Sequence, residues 1–432
     1  MGLEKKIKPD IFFICILAYI PILLYYVSIF IKSVNIPQWD DYIAILGFAN
    51  NFLSNSHNKF ALLFSQHNEH RILFCRVSTL LLYFLSGKID FKILTLIGNL
   101  SILAFTAVLL SSTVFATHKM KPLYFVPVVF ILFQPQYYEN SLLTMASLSG
   151  LPVIFFAFLT LYCLGAGSIK NFIFSLVAAI LTTFTNGNGM FVFLSGLIIL
   201  YFYKRYKEGA VWILVGLMTV CAYFIGYTRP PLHPSPMGIV NYPTEAIKYF
   251  FYFIGSSIPY FVSEKFVQNP LLLLSGGILI FLYFIFLSYK IRSGKVNIIT
   301  FAFFAYLFIT AFVVTLGRSY FGAHQALSSR YMIYSDLFII FVYITFIEFS
   351  SDKTIRLIFP FLLILSIYFN YASYKNNFQY MIIQKEELTD GLADWRMNNN
   401  TGLAYLNQPW ANAVLQKAIK NGLYEPPTDT NN

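Results

Sequence analysis

The stretch Pro37-Gln38-Trp39-Asp40-Asp41-Tyr42 sets two carboxylates side by side, and Gln66-His67-Asn68-Glu69-His70-Arg71 follows with donors, acceptors and positive charge in successive positions. A carboxylate can act as a general base or hold a metal, and Trp39 adds an aromatic surface of the kind that sugars stack on. His67, Glu69 and His70 form HxEH, not HExxH, so the histidines do not fall four apart on one helix face as in the zinc hydrolases. The plainer alternatives are a helix cap for Asp40 and Asp41, which precede an amphipathic segment, and polar anchoring of a re-entrant helix for the histidine cluster.

Arg318 and Arg330, in Gly317-Arg318-Ser319-Tyr320-Phe321-Gly322 and Ser328-Ser329-Arg330-Tyr331, carry planar donor forks that suit phosphate oxygens. The competing reading is a snorkelling anchor at a helix end. Arg76, which interrupts an apolar face, is open to the same two readings. Glu139, in Tyr137-Tyr138-Glu139-Asn140, is the only charge of its loop; it would assist a base or a metal, or simply sit at an interface between tyrosines. The run Thr185-Asn186-Gly187-Asn188-Gly189 reads as a tight turn.

These residues are held by a very apolar chain. Of 432 residues, 57% are hydrophobic, 19% aromatic and only 11% charged, and the mean hydropathy is +0.64. That excludes a soluble globular domain and points to a polytopic membrane protein. The net charge of +11 is scattered through short loops between apolar runs, which reads as topology and not as a nucleic-acid patch. Cys15, Cys75, Cys163 and Cys221 show neither CxxC nor Cys/His spacing, so they read as small hydrophobes.

Spans need about 20 mostly apolar residues, and eleven candidates are expected, at 11–31, 91–115, 122–135, 150–166, 171–184, 190–203, 210–226, 270–289, 297–315, 332–349 and 355–371. Lys5, Lys6 and Lys8 precede the first, which is too long and lacks the small-residue cleavage site of a signal peptide. With the N-terminus inside, fourteen of the thirty lysines and arginines fall in inside loops: the N-terminal three, Lys119/Lys121, Lys170, Lys204/Arg205/Lys207, Lys290/Arg292/Lys295 and Lys353/Arg356. The short loops 134–150 and 185–189 on the other side hold none, as the positive-inside rule requires. This orientation needs 71–87 to lie on the outer face as an interfacial helix, since counting it as a span inverts every later loop; 42–53 reads as a second such helix.

The expectation is an all-α, polytopic transmembrane helix bundle of about eleven spans, comprising 1–371, with a tail at 372–432. Outside it carries a first loop at 32–90 with juxtamembrane helices, and further loops at 134–150, 227–270 and 316–331. The third outer piece opens with Arg229-Pro230-Pro231-Leu232-His233-Pro234-Ser235-Pro236, which is no regular helix. The outer acids ahead of the tail are Asp40, Asp41, Glu69, Asp90, Glu139, Glu245, Glu264 and, at its edge, Asp336. Trp395 and Trp410 in the tail are candidate stacking surfaces.

An inside N-terminus, a long first outer loop with an acidic pair near its start, two juxtamembrane helices, an acid in the next outer loop and ten further spans together resemble the glycosyltransferase C superfamily. More narrowly, the chain is similar to the serotype-converting O-antigen glucosyltransferases, which also place functional loops at the first periplasmic segment and the C-terminus. On this resemblance Asp40 or Asp41 matches the first-loop acid, a catalytic base or its orienter, and Glu139 falls where the second-loop acid is found, although Glu-Asn here replaces an acid pair. That departure weakens the case for a metal, and members using a polyprenyl monophosphate donor commonly need none. The resemblance therefore implies a monophosphate donor and no cofactor, a divalent metal being the less favoured alternative.

The implied reaction is transfer of a hexose from a polyprenyl-phosphate sugar to a periplasmic glycan, such as lipid-linked O-antigen, at a bacterial inner membrane. Asp40 or Asp41 would deprotonate the acceptor, with Glu69 and Glu139 as further candidate catalytic acids. Arg330, Arg318 and Arg71 would stabilise the departing phosphate, with Arg76 a further candidate for it; His67, Glu69 and His70 would position sugar or acceptor hydroxyls, and Trp39 and Tyr331 are further substrate-binding candidates. The membrane lipid is a partner; nucleic acid is not. Two alternatives stand beside this reading: an O-antigen polymerase, and a transporter or flippase for lipid-linked sugars, which would need ionisable groups near the bilayer midplane.

Overall fold

A computed structural model describes residues 9–54, 58–115, 121–230, 238–294, 296–398 and 401–428. Lys5, Lys6, Lys8, Lys119, Lys295, the run from Pro231 to Pro236 and the side chain of Glu264 lie outside the described residues.

The chain opens with α1 (Pro9–Lys32). A π-helical turn at Tyr42–Gly47 then runs into α2 (Phe48–Leu53), followed by α3 (Lys59–Leu63), a hairpin of β1 (Gln66–His67) and β2 (His70–Arg71), and α4 (Leu73–Ser86). The bundle continues through α5 (Phe91–Leu110), α6 (Pro122–Leu132), α7 (Tyr138–Leu142), α8 (Thr144–Gly165), α9 (Ile169–Thr185), α10 (Val192–Phe202) and α11 (Tyr206–Phe224). It ends with α12 (Gly238–Asn241), α13 (Pro243–Gly255), α14 (Pro270–Lys290), α15 (Ile298–Arg318), α16 (Ser329–Phe349), α17 (Asp352–Asn398) and α18 (Gln408–Lys420). With 82% of the chain helical and a two-stranded hairpin as the only sheet among the described residues, the fold is all-α.

Eight helices, α1, α5, α8, α11, α14, α15, α16 and α17, are long and apolar enough to cross a membrane. The other three expected segments are also helical but shorter: α6, α9 and α10 have 11, 17 and 11 residues. Burial orders the bundle. The spanning window of α16 is 78% buried and that of α15 67%, whereas that of α1 is 17% buried. So α15 and α16 are central, and α1 turns most of its apolar surface outward, as a lipid-facing helix does. Polar caps start several helices: Asp90 accepts from Ile93 N–H at 3.0 Å to open α5, and Asn297 accepts from Ile299 N–H at 2.9 Å to open α15. Helices α5 and α8 approach so closely at Gly98 that a Cβ there would lie 2.5 Å from the Ser147 backbone, the small-residue packing that membrane helices favour.

Two hydrophobic cores result. The larger joins the bundle helices. The second draws Ile36, Tyr42, Ile45 and Leu46 of the first loop together with Leu388, Trp395, Leu415 and Tyr424 of the tail. Backbone bonds seal this union, from Trp39 N–H to Ala404 C=O and from Ile89 N–H to Leu423 C=O, both at 2.7 Å. The boundary expected at 371 falls inside α17, and the tail completes the fold of 32–90. Trp395 is correspondingly 7% exposed, with its indole N–H donated to Asn412 at 2.8 Å, which makes it core and not a stacking surface. Trp410 is 37% exposed and packs on Tyr405 with ring centroids 5.2 Å apart.

Candidate active site

The hairpin of β1 and β2 pairs Gln66 with Arg71 and His67 with His70, turning through Asn68 in the left-handed region at φ 48°. It is docked on the ends of α9 and α11. Gly187 donates its N–H to His70 Nδ1 at 3.2 Å, leaving Nε2 as the protonated nitrogen; a Cβ at Gly187 would lie 2.8 Å from that ring, so the turn requires glycine. The Tyr223 hydroxyl donates to the Glu69 carbonyl at 3.1 Å.

Arg71 and Arg76, both expected at the phosphate, face inward instead. Arg71 is 7% exposed and donates to the carbonyls of Tyr223 at 2.6 Å, Ile225 at 2.5 Å and Phe64. It thereby satisfies carbonyls of the last turn and C-cap of α11 and ties them to the end of α3. Arg76 is 4% exposed; its Nη1 donates to Leu62 and Leu63 at 2.9 Å and to Ser65 at 2.5 Å, with Phe48 beneath it at 5.2 Å. Burial lowers this guanidinium to about 10. Both arginines are fasteners of the loop.

The adjacent aspartates point apart. Asp41 is fully buried; its Oδ1 accepts from Met145 N–H at 2.8 Å and its Oδ2 from Gln38 N–H at 3.2 Å. It thus caps α8 from outside the helix, and burial raises its carboxyl to about 7 against the pull of these donors. Asp40 is half-exposed, at 35% of its side chain. His67 Nε2 stands 3.6 Å from its Oδ1, and Asn68 Nδ2 donates to the same oxygen at 3.4 Å. Burial pushes the Asp40 carboxyl up, but the His67 contact and charge, Asn68 and the charge of Arg330 outweigh it, and the net shift is downward. Its Oδ2 has no hydrogen bond among the described residues. Trp39, 49% exposed and itself left-handed at φ 46°, flanks it.

The two remaining carboxylates each tether an arginine. Glu139 Oε2 accepts from Arg330 Nε at 3.3 Å, from Arg330 N–H at 3.2 Å and from the Ser328 hydroxyl at 3.2 Å. Glu69 Oε1 pairs with Arg318 Nη2 and lies 3.5 Å from His70 Nε2. The Arg330 side chain remains 54% exposed, and its Nη groups have no hydrogen-bond partner among the described residues. Tyr331 packs on Phe253 at 5.6 Å. Tyr249, which the sequence does not single out, donates to Gln325 at 2.6 Å and feels the charges of both Arg318 and Arg330.

Three other outer acids are committed elsewhere. Asp90 caps α5; Glu245 pairs with Lys248 at 3.0 Å and accepts from Ala323 N–H at 3.1 Å. Asp336 is not at the surface: it is fully buried, with Gln134 donating to it at 2.7 Å. Among the described residues no three His, Cys, Asp or Glu side chains gather in a metal-ligating group.

The arrangement therefore sets an accessible, ionised carboxylate beside an aromatic face and within the field of an arginine whose Nη groups have no hydrogen-bond partner among the described residues. Chemically it can accept a proton from a hydroxyl and stabilise a phosphate. No family model, no curated protein and no solved structure matches the chain. Fold and apolar helices define the class as an all-α protein built to cross a membrane several times.

Proposed function

We propose that this chain is a multi-pass glycosyltransferase that moves a hexose from a polyprenyl-phosphate sugar to a glycan hydroxyl, with the site on the periplasmic face of a bacterial inner membrane. All eleven apolar helices would span, the N-terminus lying in the cytoplasm and the tail outside, with 42–53 and α4 at the outer interface. The single observation that carries the reading is Asp40, half-exposed, held at Oδ1 by His67 and Asn68 and without a hydrogen bond at Oδ2 among the described residues, with the charge of Arg330 helping to keep it ionised. A proton acceptor and a phosphate stabiliser are what the reaction needs, and Asp40 and Arg330 would supply them.

In this mechanism Asp40 takes the proton of the acceptor hydroxyl as its oxygen forms a bond to the anomeric carbon. The bond from that carbon to the phosphate oxygen breaks, and the electron pair leaves with the lipid phosphate. Arg330 and Arg318 stabilise the charge that develops there. Glu139 and Glu69 hold the two arginines, and His67 with Asn68 holds Asp40. Trp39 offers its ring to a sugar.

Asp336 favours a second reading. It is a carboxyl inside the bundle, with Oδ1 lacking a partner, as a lipid-linked sugar transporter would carry at membrane depth. The test is to incubate membranes holding the protein with a labelled polyprenyl-phosphate hexose and a lipid-linked oligosaccharide. The glycosyltransferase reading predicts free polyprenyl phosphate and a product one hexose heavier. Movement of intact donor across vesicles without bond cleavage would replace it with the transporter, and joined repeat units without a new sugar would replace it with the polymerase.

A further inference from the structure

At the end of the bundle remote from Asp40, a cavity of about 390 Å³ opens between α10, α14 and α15. Phe301 lines it in the first turn of α15, whereas Arg318 closes the last turn, about 25 Å away at 1.5 Å per residue. The walls are apolar and aromatic, with Leu197, Tyr201, Phe202 and Phe301, and Ser288 and Arg292 are its polar members. Tyr201 is 60% exposed, so the cavity opens sideways onto the apolar flank of the bundle.

The charge at this end is mostly positive: Lys290 closes α14 two residues before Arg292, and Lys204 and Lys207 lie where α10 passes into α11. Two acids of this end are already engaged, Glu208 with Arg205 at 3.0 Å, and Glu348, 2% exposed, with the N–H of Asn297 at 3.3 Å and the hydroxyl of Thr300 at 3.4 Å, while Asp352 is exposed at the start of α17. Arg292 has no ion pair or hydrogen bond among the described residues and is exposed. A lone guanidinium over a greasy cleft, inside a basic rim, matches a phosphodiester with an acyl chain attached.

We propose that this cleft binds an anionic membrane phospholipid, Arg292 holding the headgroup phosphate and the chain lying along Tyr201, Phe202 and Phe301. The site is separate from the proposed transfer chemistry and does not depend on it. A merely snorkelling arginine would favour anionic lipid only as any surface cation does, and would give no one-to-one adduct that also depends on Tyr201.

Native mass spectrometry of the purified full chain in detergent tests this, with phosphatidylglycerol, phosphatidylcholine or glycerol phosphate added, for wild type, Arg292→Gln and Tyr201→Ala. The expected result is a one-to-one phosphatidylglycerol adduct, weakened about five-fold in Arg292→Gln by loss of one cationic contact and weakened in Tyr201→Ala, with melting temperatures unchanged. Equal retention of the two lipids, or an adduct insensitive to Arg292→Gln, would overturn the proposal. So would glycerol phosphate binding as tightly as the lipid, which would mark a soluble-phosphate site.

Discussion

Asp40 Oδ1 lies 3.6 Å from Nε2 of His67, a side chain only 4% exposed in a two-residue strand. A buried ring on a fastened hairpin fixes the direction of the carboxylate and leaves its other oxygen without a hydrogen bond among the described residues. His67→Ala should lower kcat by up to about 100-fold through misplacement of the base, with little change in KM. It should also move the acid limb of kcat/KM to higher pH, because burial, the largest influence on Asp40, then acts against fewer opposing contacts. Rates measured from pH 4 to 8 check both; an unmoved acid limb would deny His67 this role.

Asp41 predicts a pH dependence of stability. Its folded carboxyl is raised to about 7, above the ordinary aspartate value of about 3.9, so between the two the folded protein binds a proton that the unfolded chain releases. The stability this group contributes is full below about pH 4, falls as pH rises and is lost above about 7. Asp41→Asn should flatten that slope while costing about 1–3 kcal/mol, since its amide nitrogen cannot accept from a backbone N–H. Melting temperatures in detergent from pH 5 to 8 check this, and parallel slopes for the two proteins would contradict it.

Glu139 and Arg330 should behave as a unit. Arg330→Ala removes the phosphate stabiliser and should reduce kcat by about 10²–10³-fold, and Arg330→Lys should recover little because the planar fork is lost. Glu139→Gln should cost less, and the double variant no more than Arg330→Ala alone, because Glu139 acts through the arginine. Single-turnover rates for the four proteins form the cycle. Fully additive losses would give Glu139 a chemical role of its own.

Arg71→Ala and Arg76→Ala should destabilise the fold. Each strips donors from buried carbonyls, at about 1–3 kcal/mol per unpaired group, and should lower the melting temperature and open the first loop to protease. Unchanged melting with a raised donor KM would instead make them phosphate ligands.

Much of this was legible from residue order. Apolar runs marked the eight helices long enough to cross a membrane and three shorter ones, because lipid-facing and buried helix faces are both hydrophobic and need no periodic pattern. Asp40, Glu69 and the two distal arginines stood out by the scarcity of charge, and the structure brings each glutamate onto an arginine: Glu69 to Arg318 and Glu139 to Arg330. The division of labour between Asp40 and Asp41 was not legible, since neighbours in a turn point in different directions and only the approach of α8 decides which is capped. Nor was the inward commitment of Arg71 and Arg76, whose acceptors are main-chain carbonyls that carry no sequence signature. The union of the tail with the first loop was equally hidden, because it joins residues such as Tyr424 and Asn35, whose carbonyl accepts from the tyrosine at 2.7 Å.

The most direct measurement is mass spectrometry of surface polysaccharide from bacterial cells expressing the wild type, Asp40→Asn or Asp41→Asn at matched membrane levels, against cells without the protein. The account predicts one added hexose per repeat unit with the wild type, none with Asp40→Asn, and a retained though reduced addition with Asp41→Asn. A hexose added undiminished by Asp40→Asn, or abolished by Asp41→Asn alone at equal folded level, would contradict Asp40 as the base.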